Sequence, residues 1–195
     1  MTRYLGTAIR MTILTAILLG LIYPLAITGI AQVLFPGAAD GSLVKVNGRV
    51  VGSSLIAQDF TAAEYFHPRR SAAGSGYDAM ASSASNLGPT SRVLVDRVRA
   101  DVRKELAQNS GLRSGAVPVD MVTTSGSGLD PHITVANART QAPRVAAARG
   151  MSVVAVLRLV AENTAGRTLG FLGELRVNVL ELNLTLDAAQ ARGGK

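Results

Sequence analysis

Residues 11–35 hold no charged side chain, and that run constrains the chain more than any other feature. As an α-helix rising 1.5 Å per residue it would be ~37 Å long, enough to cross a ~30 Å hydrocarbon core with some tilt. A secretory signal peptide would have an apolar core of only ~7–15 residues ending at a small-residue cleavage site. Here the run is longer, and Phe35-Pro36-Gly37-Ala38-Ala39-Asp40 is a poor site. The run predicts an uncleaved transmembrane helix over 11–35, and no second stretch of this kind follows. Arg3 and Arg10 precede it, while Lys45 and Arg49 follow at a distance. Arg10 abuts the helix, and a long following domain translocates largely regardless of its own charge. The expected topology is a cytoplasmic N-terminus at 1–10 and an extracytoplasmic domain at 36–195.

Inside the run, Thr12, Ala16, Gly20, Pro24, Thr28 and Gln32 recur every four residues among Ile and Leu. Helices in lipid associate through close backbone approach and hydrogen bonds, which small and polar residues permit. Four-residue steps drift ~40° each on a 3.6-residue helix, so the six positions do not form one straight stripe, although any three consecutive ones do. They are read as a packing face for a partner helix.

Composition removes whole classes of chemistry from the remainder. With no cysteine, disulfide frameworks, thiolate nucleophiles and Cys-ligated zinc are excluded, and two His, His67 and His132, cannot form a histidine-rich metal cage. The formal net charge is +7, but the Arg residues are scattered and mixed with acids, and aromatics make up only 4%. Nucleic-acid binders cluster Lys and Arg beside stacking aromatics, so a solvated surface and no nucleic-acid partner are expected.

The domain after the span reads as a small α+β unit. Asn47-Gly48 between β-branched runs marks a hairpin, because both residues accept the positive φ of a type I′ turn. Residues 69–91 read as a long polar loop. Leu94, Val98, Val102 and Leu106 then mark a helix over 90–108, with Pro89 at its entry. Val117 to Met121 reads as a short strand. A helix is expected after Asp130-Pro131, covering 134–149, with Pro143 breaking or kinking it. Ser152 caps another helix running to about Asn163, and Gly166, Gly170 and Gly173 mark turns. Residues 177–186 nearly alternate, with Leu180 out of phase, and are read as strand in preference to helix.

No phosphate-binding loop and no G-x-S-x-G nucleophile elbow is present. Ser125, Ser127, Asp130 and His132 contain the members of a hydrolase triad, so a membrane-anchored hydrolase using Ser127 and His132 is the rival reading. One rigid proline separates Asp130 from His132, which places Asp130 poorly for orienting the imidazole. Glycine turns and a loop are the preferred interpretation.

In order along the chain come Gly52-Ser53-Ser54-Leu55-Ile56-Ala57-Gln58, Tyr65-Phe66 and Ser85-Asn86-Leu87-Gly88-Pro89-Thr90. Ser125-Gly126-Ser127-Gly128-Leu129-Asp130-Pro131-His132-Ile133 and Arg144-Val145-Ala146 follow, then Leu169-Gly170-Phe171-Leu172-Gly173-Glu174 and Arg176-Val177-Asn178-Val179-Leu180. With the N-terminal span, this series resembles the KdpC family, the C subunits of bacterial Kdp potassium-transporting P-type ATPases. Departures fall at Arg70 and at Ser83-Ala84, both in the long loop.

The resemblance implies a non-catalytic subunit of a four-part, ATP-driven potassium uptake complex in the bacterial inner membrane. Its implied partners are a channel-like potassium-binding subunit, a P-type ATPase subunit and a small membrane subunit. It implies a catalytic chaperone that raises the ATP affinity of the hydrolytic subunit, with Gln141 as a nucleotide contact. No firmly bound cofactor is expected, ATP being reached through the complex. An exported domain does not meet cytosolic ATP, and one Gln with no phosphate cradle is a weak nucleotide site. On the residues alone Gln141 is a helix residue, solvated or bonded to a neighbour. Asn86, Leu87, Gly88, Gly126, Gly128, Asp130 and His132 are read as structural or partner-facing loop positions.

Overall fold

A computed structural model describes residues 2–193, with the side chains of Thr2, Arg3 and Gly193 outside that description. Arg3, counted above for orientation, therefore lies outside the described side chains. The chain divides into two compact units, Met1–Val51 and Gly52–Lys195.

In the first unit, α1 (Thr2–Ile17), a π-helical turn (Leu18–Ile22) and α2 (Tyr23–Leu34) run on without a break. Tyr4–Leu34 is the one helix among the described residues long and apolar enough to cross a membrane. The π turn closes with the Tyr23 N–H donating to the Leu18 carbonyl, immediately before Pro24. Proline cannot donate to the carbonyl four residues back and its ring crowds it, so the winding widens there. The short helix α3 (Pro36–Ala39) precedes the hairpin of β1 (Leu43–Val46) and β2 (Arg49–Ser53). Its turn residues have φ of 50° at Asn47 and 78° at Gly48, the pair of positive angles that a type I′ turn requires.

The second unit begins with a long irregular stretch and then α4 (Arg92–Gln108), whose N-cap Ser91 accepts from the Leu94 N–H. The predicted stripe of Leu94, Val98, Val102 and Leu106 is only half-buried, and the buried helix residue is Asp101. The expected strand at 117–121 is instead a helical turn, α5 (Val119–Val122). Asp120, Met121 and Val122 are all buried there, and three consecutive inward residues do not suit a strand with one solvated face.

The helix expected after Asp130-Pro131 over 134–149 is present, with a short strand before it that was not expected. His132–Thr134 form β3, and α6 (Val135–Arg149) starts from Thr134, whose side chain accepts from the Asn137 N–H. Pro143 does not interrupt α6. It lies on the exposed face, as does Arg139 four residues before it, so the carbonyl that loses its donor is open to water.

Next come α7 (Val153–Glu162), capped by Ser152 as expected, β4 (Thr164–Ala165), β5 (Arg176–Asn178) and α8 (Val179–Gly193). The strand reading of 177–186 is thus overturned for all but its first two residues. The Asn178 side chain accepts from the Glu181 N–H at 3.2 Å and starts a helix whose buried residues Val179, Leu182 and Leu186 share one face. β5 lies between β3 and β4 in an antiparallel three-stranded sheet, with Ile133 opposite Val177 and Thr164 opposite Val177 on the other side. The core lies between this sheet and α6, α7 and α8, and is built from Phe66, Ile133, Ala142, Val145, Val156, Val160, Leu182 and Leu186. The α+β class stands.

Candidate functional site

Segment 63–67 lies outside any strand or helix, yet side chains hold its backbone throughout. Gln141 on α6 accepts the His67 N–H at Oε1 (2.8 Å) and donates from Nε2 to the His67 carbonyl (3.0 Å). Asn183 on α8 does the same for Phe66, at 2.8 and 3.0 Å. Arg144 donates to the Ala63 and Tyr65 carbonyls, and Arg149 to that of Glu64. Five successive carbonyls are therefore satisfied by side chains where a sheet would have used main chain. The buried Arg149 also meets Asp187 and Gln190, and its guanidinium lies 4.9 Å from the centre of the Tyr65 ring.

Gln141 itself is 2% exposed. Its remaining capacity goes to Asn137 Oδ1, 2.7 Å from Nε2, and to the Arg144 guanidinium, 2.6 Å from Oε1. Two donors and two acceptor sites are all that an amide offers, and all four are engaged. The residue is bonded to neighbours, not solvated, and these groups do not fit a nucleotide.

The two loops singled out in the sequence meet each other. The Ser127 carbonyl accepts from the Ser83 N–H (3.0 Å) and from Ser82 Oγ (2.9 Å). Arg69 joins Asp130 and the Thr124 carbonyl, and Thr124 reaches Ser85. Gly126 sits at the exposed tip and Gly128 is buried. Asn86 adopts a left-handed φ of 50°, half-buried Leu87 follows it, and the Gly88 carbonyl accepts the Ser91 N–H just before α4.

Asp130 Oδ1 accepts the His132 N–H at 3.0 Å and so lies 3.3 Å from His132 Nδ1. Ser127 Oγ, however, accepts the Leu129 N–H of its own turn, and no hydrogen bond joins it to His132 among the described residues. Asp120, which the sequence did not single out as a site residue, accepts from the Thr134 N–H, Thr134 Oγ1 and Asn137 Nδ2, at 2.8 to 3.0 Å. Its carboxylate sits at the N-terminus of α6, where the helix dipole favours negative charge.

A cavity of about 340 Å³ lies in front of His67, lined by Asp59, Asp101 and Glu105 as well as Arg70, Lys104 and Tyr77. Its carboxylates outnumber its Lys and Arg, so it does not complement a polyphosphate. Burial, and to a lesser degree Arg144, holds His67 below the usual histidine range, and burial raises Glu105. Among the described residues no His, Asp or Glu cluster could hold a metal ion.

Tyr77 donates to the Arg69 carbonyl at 2.9 Å, and burial, reinforced by Asp59, pushes its hydroxyl up from 10.0 to about 12. Because the folded pKa exceeds the unfolded one, the stabilisation is complete below pH 10 and disappears as the pH rises towards 12. Tyrosinate absorbance should therefore show a late-ionising tyrosine that is absent in Tyr77→Phe. Ionisation of Tyr77 near pH 10 in the folded chain would contradict this.

Of the span residues, Gly20 falls in the π turn, whose wider winding takes back part of the drift between Ala16 and Pro24. Thr12 and Thr28 lie on the same continuous helical run. Gln32 near its end donates to Asp40 Oδ1 at 3.2 Å.

These features define a class of protein: a domain preceded by a helix long enough to span a membrane, with its polar groups committed to holding its own backbone. A family model described as KdpC, K+-transporting ATPase, c chain, matches residues 5–188. The potassium-transporting ATPase KdpC subunit of Koribacter versatilis is 55% identical over 190 residues, covering 97% of each chain. That of Myxococcus xanthus is 58% identical over 182 residues, 93% of this chain and 86% of its own. That of Rhodospirillum rubrum is 55% identical over 187 residues, 96% of each. The chain belongs to the KdpC family.

Proposed function

We propose that the chain is an accessory, non-catalytic subunit of a potassium-transporting ATPase, inserted with its N-terminus in the cytoplasm and residues 36–195 outside it. There it stabilises and regulates the assembled pump without binding nucleotide itself. The observation that carries this reading is Gln141, buried and with every amide donor and acceptor engaged inside the fold. Any effect on the ATP affinity of the hydrolytic subunit then passes through the assembly. The face of Thr12, Ala16, Gly20, Pro24, Thr28 and Gln32 packs on the channel-like subunit within the bilayer, with the P-type ATPase subunit and a small membrane subunit completing the complex. The loops holding Asn86, Leu87, Gly88, Gly126, Gly128, Asp130 and His132 are structural or partner-facing. Protease added to intact spheroplasts should digest the domain. Full protection would overturn the topology and return Gln141 to the compartment that holds ATP.

A further inference from the structure

Between β4 and β5 the chain leaves the sheet as a small closed loop with an apolar tip. The N–H groups of Thr168 and Leu172 each donate to the other's carbonyl at 2.9 Å, and Gly170 N–H donates to the Arg167 carbonyl at 3.0 Å. An Arg167–Glu174 ion pair of 3.0 Å crosses its base. This short tip is therefore ordered by its own bonds, yet Leu169 is 79% exposed and Phe171 67%, with Leu172 and Leu175 about half exposed beside them. Leu169 is also held at φ 54°, a left-handed conformation that a bulky side chain adopts only under constraint. Local bonding presents these four apolar side chains to solvent although the core has no use for them.

Beside the tip lies a hollow of about 280 Å³ whose walls include Arg69, Asp130, His132, Glu174, Leu175 and Arg176. An apolar projection bordered by a recess of mixed charge is the anatomy of a protein interface, an apolar centre with a polar rim. A lipid surface fits it less well. Membrane-binding tips are flanked by unpaired basic residues, whereas here Arg167 is paired and the Glu174 side chain is 81% exposed at the base, where it would oppose anionic headgroups.

We propose that the loop of residues 167–175 is the anchor by which this domain docks into an apolar socket on another subunit of the ATPase. That subunit would present a polar side chain to the neighbouring recess. The loop's own bonding lowers the ordering cost of docking, since the anchor is held in shape before the partner arrives. This inference rests on the reading of the chain as a pump subunit.

The test uses the full-length chain, tagged and recovered from detergent-solubilised membranes of cells producing the whole complex. Leu169→Asn with Phe171→Ser removes the apolar tip while keeping a residue that tolerates positive φ at 169. It should lower recovery of the other subunits at least tenfold. Val154→Ser on α7, an equally exposed site at 77%, should not lower it. Normal recovery with the double variant, where the wild type recovers the subunits, would overturn the docking loop alone. A wild-type chain that recovers none would overturn the subunit reading and the loop with it. The chain has no tryptophan, so Phe171→Trp places a single reporter at the tip. In vesicles of mixed neutral and anionic phospholipid with brominated acyl chains, its fluorescence should stay unquenched. Strong quenching would assign the tip to lipid and overturn the proposal.

Discussion

Gln141→Ala is expected to destabilise the domain by about 4 kcal/mol, because one substitution strands several buried groups at once. The His67 N–H and carbonyl and Asn137 Oδ1 lose their partners, and the Arg144 guanidinium loses an acceptor. A buried polar group left unpaired costs ~1–3 kcal/mol, and partial entry of water into the vacated space offsets some of the total. The measurement is the urea midpoint of the full-length chain in detergent, followed by far-ultraviolet circular dichroism, with an unchanged slope. Gln141→Glu should not rescue it, since a carboxylate would face the His67 carbonyl and Asn137 Oδ1 with acceptors only. A nucleotide contact predicts the opposite pattern, normal stability with weakened ATP affinity in the complex. A Gln141→Ala chain as stable as the wild type would remove the basis for excluding nucleotide here.

The features legible in the sequence were those whose chemistry is local. Asn47-Gly48 announces its turn because both residues accept positive φ. Ser152 sits directly before the helix it caps. Residues 177–186 misled because near-alternation of Val and Leu imitates a strand. Yet Asn178 followed three residues later by Glu181 is a helix-start pattern, and Leu180, out of phase for a strand, is buried on α8. The strand reading at 117–121 failed for a different reason, since what bends Asp120 inward is Thr134, 14 residues on. The candidate site was less legible still. Gln141 meets the His67 backbone across 74 residues and Asn183 meets Phe66 across 117, and no spacing rule reports contacts of that range. Two buried amides closing on adjacent backbone units is a tertiary fact.

Gly128→Ala should be as damaging as the loss of Gln141, at about 4 kcal/mol, while Gly126→Ala two residues away should change stability by less than about 1 kcal/mol. The two glycines differ in conformation and in surroundings. Gly128 has φ +68° and is buried, and a Cβ there would stand 2.5 Å from the Ser83 carbonyl oxygen and 2.8 Å from the Ala73 nitrogen. Both are main-chain atoms, so no side-chain rotation relieves the clash, and the positive φ adds strain of ~1 kcal/mol. The contact holds residues 125–130 against the polar loop, where the Ser83 N–H and Ser82 Oγ reach the Ser127 carbonyl. Forcing the loops apart therefore breaks those bonds and disturbs Arg69 between Thr124 and Asp130. Gly126 has no positive φ, and a Cβ added to it would find no neighbouring atom within 4 Å, so alanine there meets nothing. Urea midpoints of the two variants, measured side by side in the full-length chain, separate the cases. Equal effects would mean that the two loops do not make this close backbone approach.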